Sequence, residues 1–294
     1  MKVFEQYRVA GHSFRLGIPD SAGLRGCLDG RYAPFVDRSG EDALFTLETV
    51  DELPDTAGKC IYDVPTEDGE TVIRMFETGD GYMCEMAVDH RAGVCGRMYM
   101  SGDFSQARLK IGSRRLGDAL FCINNSLMLL YAFATFDKGT LEMHASVVVN
   151  GGRSYLFLGR SGTGKSTHSR LWLDNIPGSV LLNDDNPIIR VTDQGVTAYG
   201  SPWSGKTPCY RNESAPVGAF VLIRQSPGNS ISRMNIFQAY ATLYSSCSGL
   251  KTDKVMADGL HATMEKTVAL VPFHLLDCRP DREAAELCYK TICR

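Results

Sequence analysis

His144-Ala-Ser-Val-Val-Val-Asn-Gly-Gly-Arg-Ser-Tyr-Leu-Phe-Leu-Gly-Arg-Ser-Gly-Thr-Gly-Lys-Ser-Thr167 joins a hairpin signal to a phosphate-loop signal without a break. Two β-rich runs flank Asn150-Gly151-Gly152, the strongest short hairpin signal in the chain. The second run leads directly into Gly159-x4-Gly164-Lys165-Ser166, a complete Walker A sequence. Glycines let successive backbone N–H groups turn inward as an anion nest, at the positive end of the helix that follows. The residues of that cradle are Gly159, Ser161, Gly162, Thr163, Gly164, Lys165, Ser166 and Thr167. Lys165 is placed to reach the β- and γ-phosphates of a nucleotide, and the Ser166 hydroxyl to ligate Mg²⁺. A helix is predicted from Lys165 to Leu173, ended by Pro177-Gly178.

Downstream, Val180 to Leu182 reads as a strand running into Asn183-Asp184-Asp185-Asn186-Pro187. Lys165 and Asp184 are 19 residues apart, room for one short helix and one return strand. A hairpin-fed loop with so close an acidic pair points away from Ras-like and RecA-like arrangements, whose acidic residue ends a separate strand. Phosphoryl transfer needs charge neutralisation, a bound metal and a group that orients or deprotonates the acceptor. Asp184 and Asp185 can supply the last two, the alternative being a solvated turn. Neighbours on a regular strand face opposite sides, so both reach one site only where the strand ends or bulges, which Pro187 allows. His144 stands 15 residues before Gly159, where a hairpin returns it to the mouth of the loop, as a site residue or an ordinary core histidine. Ser201-Pro-Trp-Ser-Gly-Lys206 offers a phosphate clamp or a plain surface lysine. Thr192 to Gly195 is a second hairpin turn, and Val217 to Ile223 a buried strand. Phe237, Tyr240, Ala241 and Tyr244 form a helical stripe, and a last helix runs from Pro280.

The first half reads as short strands. Phe14, Leu16 and Ile18 alternate with Arg15 and Gly17, and Phe45, Leu47 and Thr49 with Thr46 and Glu48. Glu67-Asp68-Gly69 and Gly79-Asp80-Gly81 are turn chemistry between apolar runs; His12 and His90 stand isolated. Ala119 to Phe136 carries no charge, but Asn124, Asn125 and Ser126 interrupt it, and Leu116, Leu120, Ile123, Leu127, Leu130 and Ala134 recur at the helical period. It reads as a buried helix rather than a membrane span. A boundary near Gly112 gives a β-rich domain over 1–112 and an α/β (α+β) domain over 113–294, its mixed sheet fed by the hairpin.

Hydrophobic residues make up 44% and charged residues 22% of the chain, which excludes disorder and fibrous repeats. A formal charge of −3 gives no reason to expect nucleic acid or an anionic membrane as partner. The opening residues, MKVFEQYRVAGHSF, hold no apolar signal core, so a cytoplasmic chain with reduced thiols is expected. The ten cysteines include no C-x-x-C and then act as small hydrophobes, against a disulfide or zinc role.

His144, GRSGTGKST (Gly159 to Thr167) and LLNDDNPII (Leu181 to Ile189) together resemble the HPr kinase/phosphorylase-related kinases of the phosphoenolpyruvate-carboxykinase-like P-loop superfamily. The resemblance covers roughly Leu116 to Ile223. It implies an ATP- and Mg²⁺-dependent phosphotransferase acting on a hydroxyl of a protein serine or a small molecule. Carried over residue by residue, it makes Asp185 the metal ligand with Ser166, Asp184 the general base, and His144 a metal-side histidine beside Lys165. ADP or pyrophosphate stays open as donor, because the nest reads phosphates and not the base; an oligomer is also allowed. A carboxykinase-like enzyme would need basic residues around a dicarboxylate, for which Arg114-Arg115 is the nearest offer. A nucleotide-sensing module would need neither Asp184 nor Asp185.

Overall fold

Period-two alternation builds the N-terminal part. The computed structural model describes residues 2–54, 58–65, 72–89, 91, 93–205 and 207–293; the Glu67-Asp68-Gly69 turn, His90 and Lys206 lie outside them. The chain divides into two compact units, Met1–Ala134 and Thr135–Arg294. In the first, the strands are β1 (Lys2–Val9), β2 (His12–Pro19), β3 (Phe45–Thr49), β4 (Lys59–Pro65), β5 (Val72–Glu77), β6 (Gly81–Ala87), β7 (Gly96–Ser101) and β8 (Gln106–Ile111). They form one sheet in the order β1-β2-β3-β8-β7-β6-β5-β4, with β2–β3 and β3–β8 parallel and the other pairs antiparallel. Phe14, Leu16, Phe45 and Leu47 are buried on one face, and the Phe14 and Phe45 rings stack.

Two helices, α1 (Ala22–Tyr32) and α2 (Leu116–Ala134), complete this unit, with α2 packed on β3, β7 and β8. By length and composition α2 could cross a membrane. Most of its stripe is instead inside the unit: Ile123, Leu127 and Leu130 are fully buried and Ala134 is buried, while Leu116 at the first turn is exposed. Its polar middle is also satisfied there, since Asn124 Oδ1 accepts from Tyr32 OH and the Asn124 and Asn125 amides donate to Leu120 and Phe121 carbonyls. Tyr131 OH donates to Val9 O. These contacts carry the boundary past α2 to Ala134, rather than to Gly112 as the change in sequence punctuation suggests.

The second unit runs β9 (Thr140–Glu142), β10 (Ala145–Asn150), β11 (Arg153–Leu158), α3 (Lys165–Asn175), β12 (Val180–Asp185), β13 (Ile188–Thr192), β14 (Gly195–Tyr199) and β15 (Ser214–Gln225). It ends with β16 (Ser230–Arg233), α4 (Ile236–Ser246), α5 (Lys254–Leu270), β17 (Phe273–Cys278) and α6 (Arg282–Ile292). The sheet order is β12-β10-β11-β15-β14-β13-β9, with β17 beside β15 and β16 beside β17. β11–β15 and β15–β17 are parallel and the remaining pairs antiparallel, so this sheet too is mixed. At the β10–β11 turn Gly151 and Gly152 have φ of 57° and 75°, the positive pair that a two-residue hairpin of this twist demands.

Trp172 of α3 is fully buried against Tyr155 and Phe157, and Ala284, Ala285 and Cys288 of α6 close the same cluster. The stripe expected on α4 is not the buried one. Ala239, Thr242, Leu243 and Ser246 face inward, while Phe237 is 82% exposed. Tyr240 and Tyr244 instead lie half-buried with their rings near-parallel to His261 from α5, and the Tyr240 hydroxyl and His261 Nδ1 are hydrogen-bond partners. Among the described residues no cysteine is in a disulfide, and most are buried.

Candidate active site

Buried β11 delivers the chain to the loop, and α3 carries it away. Gly159, Gly162 and Gly164 take φ of 146°, 79° and 103°, and Gly164 is the N-cap of α3. A Cβ at Gly159 would lie 2.5 Å from Thr163 Oγ1, so the loop closes on itself only without one. Lys165 is buried, its Nζ donating to Gly159 O at 2.8 Å and Arg160 O at 3.3 Å. Thr163 Oγ1 also donates to Arg160 O, and Gln225 Nε2 at the end of β15 donates to Gly162 O at 3.2 Å. Ser161, Ser166 and Thr167 are exposed, the last two on the first turn of α3. Behind them Ser146 and Ser169 hydroxyls meet at 2.6 Å, fixing α3 to β10. His168 is a wall residue: burial pushes its pKa down to about 4, and its Nε2 accepts from Trp172 Nε1.

A break in the strand ladder places the acidic pair. Glu142 pairs with Ile188 and Ala145 with Asp185, so the same two segments keep one antiparallel register across an interruption at Met143-His144 and Asn186-Pro187. Met143 N still donates to Pro187 O, and His144 N to Ser246 O. The β12 ladder ends at Asp185, the strand ending that lets neighbouring carboxylates serve one place. His144 Nδ1 lies 3.3 Å from Asp185 Oδ1. Asp184 is 4% exposed, whereas the Asp185 side chain is 35% exposed. Burial pushes the Asp185 carboxyl above its usual range; His144 and Lys165 pull it down, and Asp184 pushes it up. Asp185 thus feels the loop lysine, the histidine and its neighbour at once, which unites three of the sequence-derived candidates.

Glu142 is the residue the sequence reading missed. It is 1% exposed, and among the described residues Ser248 is the one whose hydrogen bonding favours its charged form. Burial, reinforced by Asp185, pushes its pKa well above the ordinary range. Its only signal was position, two residues before His144 on the same strand. Gln225 was equally silent, as one polar residue ending an apolar run.

Beside the loop a cavity of about 370 Å³ opens between α3 and the ends of β15 and β17. Gly164, Thr167, Leu171, Ile223, Ser226 and Arg279 are among its lining residues. Polar and apolar groups line it in similar measure, and its volume is within the usual size range of small-molecule pockets. Among the described residues no three His, Cys, Asp or Glu side chains gather as a closed metal cage. One open carboxylate and one exposed hydroxyl, Asp185 and Ser166, fit an Mg²⁺ that keeps waters and shares phosphate oxygens. No protein-family model matches the chain, and no curated protein matches its sequence.

Proposed function

We propose that the second unit is a nucleotide- and Mg²⁺-dependent phosphotransferase to a hydroxyl acceptor, of the HPr kinase-related type its motifs resemble. The observation that carries this is the placement of Lys165. Its ammonium lies within the loop, it acts electrostatically on Asp185, and a nucleoside-sized cavity opens beside the same loop. A donor bound this way has its base in the cavity and its terminal phosphate toward the acidic pair. That cavity favours a nucleoside phosphate such as ATP over pyrophosphate, which would leave it unfilled.

Lys165 neutralises the β- and γ-phosphates, and the loop amides hold them in line. Ser166 and Asp185 would hold an Mg²⁺, which would supply further charge neutralisation on the transferring group. Asp184 takes the proton from the acceptor hydroxyl, which must approach along the end of β12 because this carboxylate is buried. His144 steadies Asp185 across their 3.3 Å contact.

The test is a thermal melt with and without ATP–Mg²⁺, paired with a phosphate-transfer screen against lysate fractions and serine-containing metabolites. Saturating ligand at a hundredfold excess over Kd stabilises by about 2.7 kcal/mol. Wild type should show that shift, and Lys165→Ala, lacking the point charge on the phosphates, should not. Equal shifts in both proteins would remove the loop from the reading.

A further inference from the structure

After β14 the chain returns across the end of β12. Ser204 forms an isolated antiparallel bridge with Asp185, and Gly205 N donates to Asp184 O at 2.7 Å. No side chain fits at 205. A Cβ there would stand 2.9 Å from Asp184 O, 3.1 Å from Asp185 Cβ and 3.2 Å from Asp185 Cγ. These neighbours are backbone and the root of a carboxylate, neither of which swings aside as the tip of a long side chain does.

The strap has its own footing. Ser201 is fully buried, and its Oγ donates to Asn186 O at 2.5 Å. The same hydroxyl accepts from Asn183 Nδ2 at 3.1 Å and from Trp203 N at 3.2 Å. Asn183 Nδ2 also reaches Trp203 O at 3.3 Å, while Asn183 Oδ1 accepts from Asp185 N at 3.1 Å. One buried amide therefore grips both the strap and the backbone of the acidic residue beneath it. The cost of leaving any member unpaired keeps such a network in a single arrangement.

We infer that Gly205, anchored through Ser201 and Asn183, is a positioning residue that sets the direction in which the Asp185 carboxylate leaves the strand. It acts through Asp185 and touches neither phosphate nor acceptor. This rests on the function proposed above, in which Asp185 holds the metal.

The experiment uses the full chain as wild type, Gly205→Ala and Ser201→Ala, titrated calorimetrically with ATP in EDTA and again in Mg²⁺. Wild type should bind ATP in EDTA and gain affinity with Mg²⁺. Gly205→Ala should keep the EDTA affinity, because the loop is untouched, and lose about 10–100-fold of the Mg²⁺-linked gain, the range for removing support from a metal ligand. A purely structural role would lower the melting temperature and leave that gain intact. If Gly205→Ala does not fold, Ser201→Ala reads the same quantity, since it loosens the anchor without adding bulk, and a smaller loss in the same direction is expected. Wild-type gains in the folded variants overturn the positioning role alone. A wild type that binds no ATP, or binds it with no response to Mg²⁺, overturns the proposed function and this inference with it.

Discussion

Asp184 and Asp185 differ most in access, one closed beneath the strand ladder and the other open toward His144. Asp184→Asn keeps size and hydrogen bonding but removes the proton acceptor. Transfer should slow by about 10²–10⁴-fold while ATP–Mg²⁺ binding survives. Asp185→Asn should weaken metal affinity, and raised Mg²⁺ should restore part of its activity. Swapped behaviour would exchange the two roles; full activity in both would remove the pair from catalysis. His168, on the same helix as Lys165, gives a pH signature of its own. Its folded pKa is about 4 against 6.5 for the free side chain, so the unfolded chain binds the extra proton first. The stability it lends is present above about pH 6.5 and is lost as pH falls toward 4, on the order of 3 kcal/mol in all. His168→Gln can still accept from Trp172 and does not titrate. Its denaturation midpoint should therefore fall less than that of wild type between pH 7 and 4. Parallel curves would show that the buried imidazole is not the titrating group.

Elements separate what short-range pattern encodes from what it does not. The β10–β11 hairpin, the loop and α3 were all legible, because turn chemistry, glycine spacing and helix capping act within a few residues. The strap over Asp185 was not, since Gly205 meets β12 only through tertiary folding and a glycine beside a lysine looks like any loop. α5 escaped for another reason. Its buried seam is Met256, Leu260, Thr263, Met264 and Thr267, and two threonines thin the apolar signal. On α4 the helical spacing of the aromatics was legible, but not which face of the helix is buried. The hairpin itself allows a clean test. A Cβ at Gly151 or Gly152 would meet nothing within 4 Å, so alanine there costs only the left-handed backbone, about 1 kcal/mol each. The turn lies at the end of β11 away from the loop. Gly151→Ala/Gly152→Ala should lower the denaturant midpoint and leave ATP affinity unchanged; a matching loss of affinity would mean that the turn's geometry reaches the nest.

At the scale of the whole molecule, the loop, the acidic pair, His144, Glu142, the strap and the cavity all belong to Thr135–Arg294. That unit has its own mixed sheet and its own cluster around Trp172. It is far longer than the roughly 40 residues below which a domain needs staples. The helix nearest to it in sequence, α2, spends its apolar stripe on the first sheet, so cutting after Ala134 removes no strand or helix of the second unit. A fragment of residues 135–294 should therefore fold, with a cooperative melt by circular dichroism. It should bind ATP–Mg²⁺ within about threefold of the full chain, less than the 1.4 kcal/mol that a tenfold change represents. The first unit then has no part in holding the donor, and loss of transfer in a fragment that still binds would assign that unit to the acceptor. A fragment that melts cooperatively yet binds ATP–Mg²⁺ tenfold more weakly would instead place part of the donor site in residues 1–134. One that fails to melt cooperatively would show that the second unit depends on the first to fold.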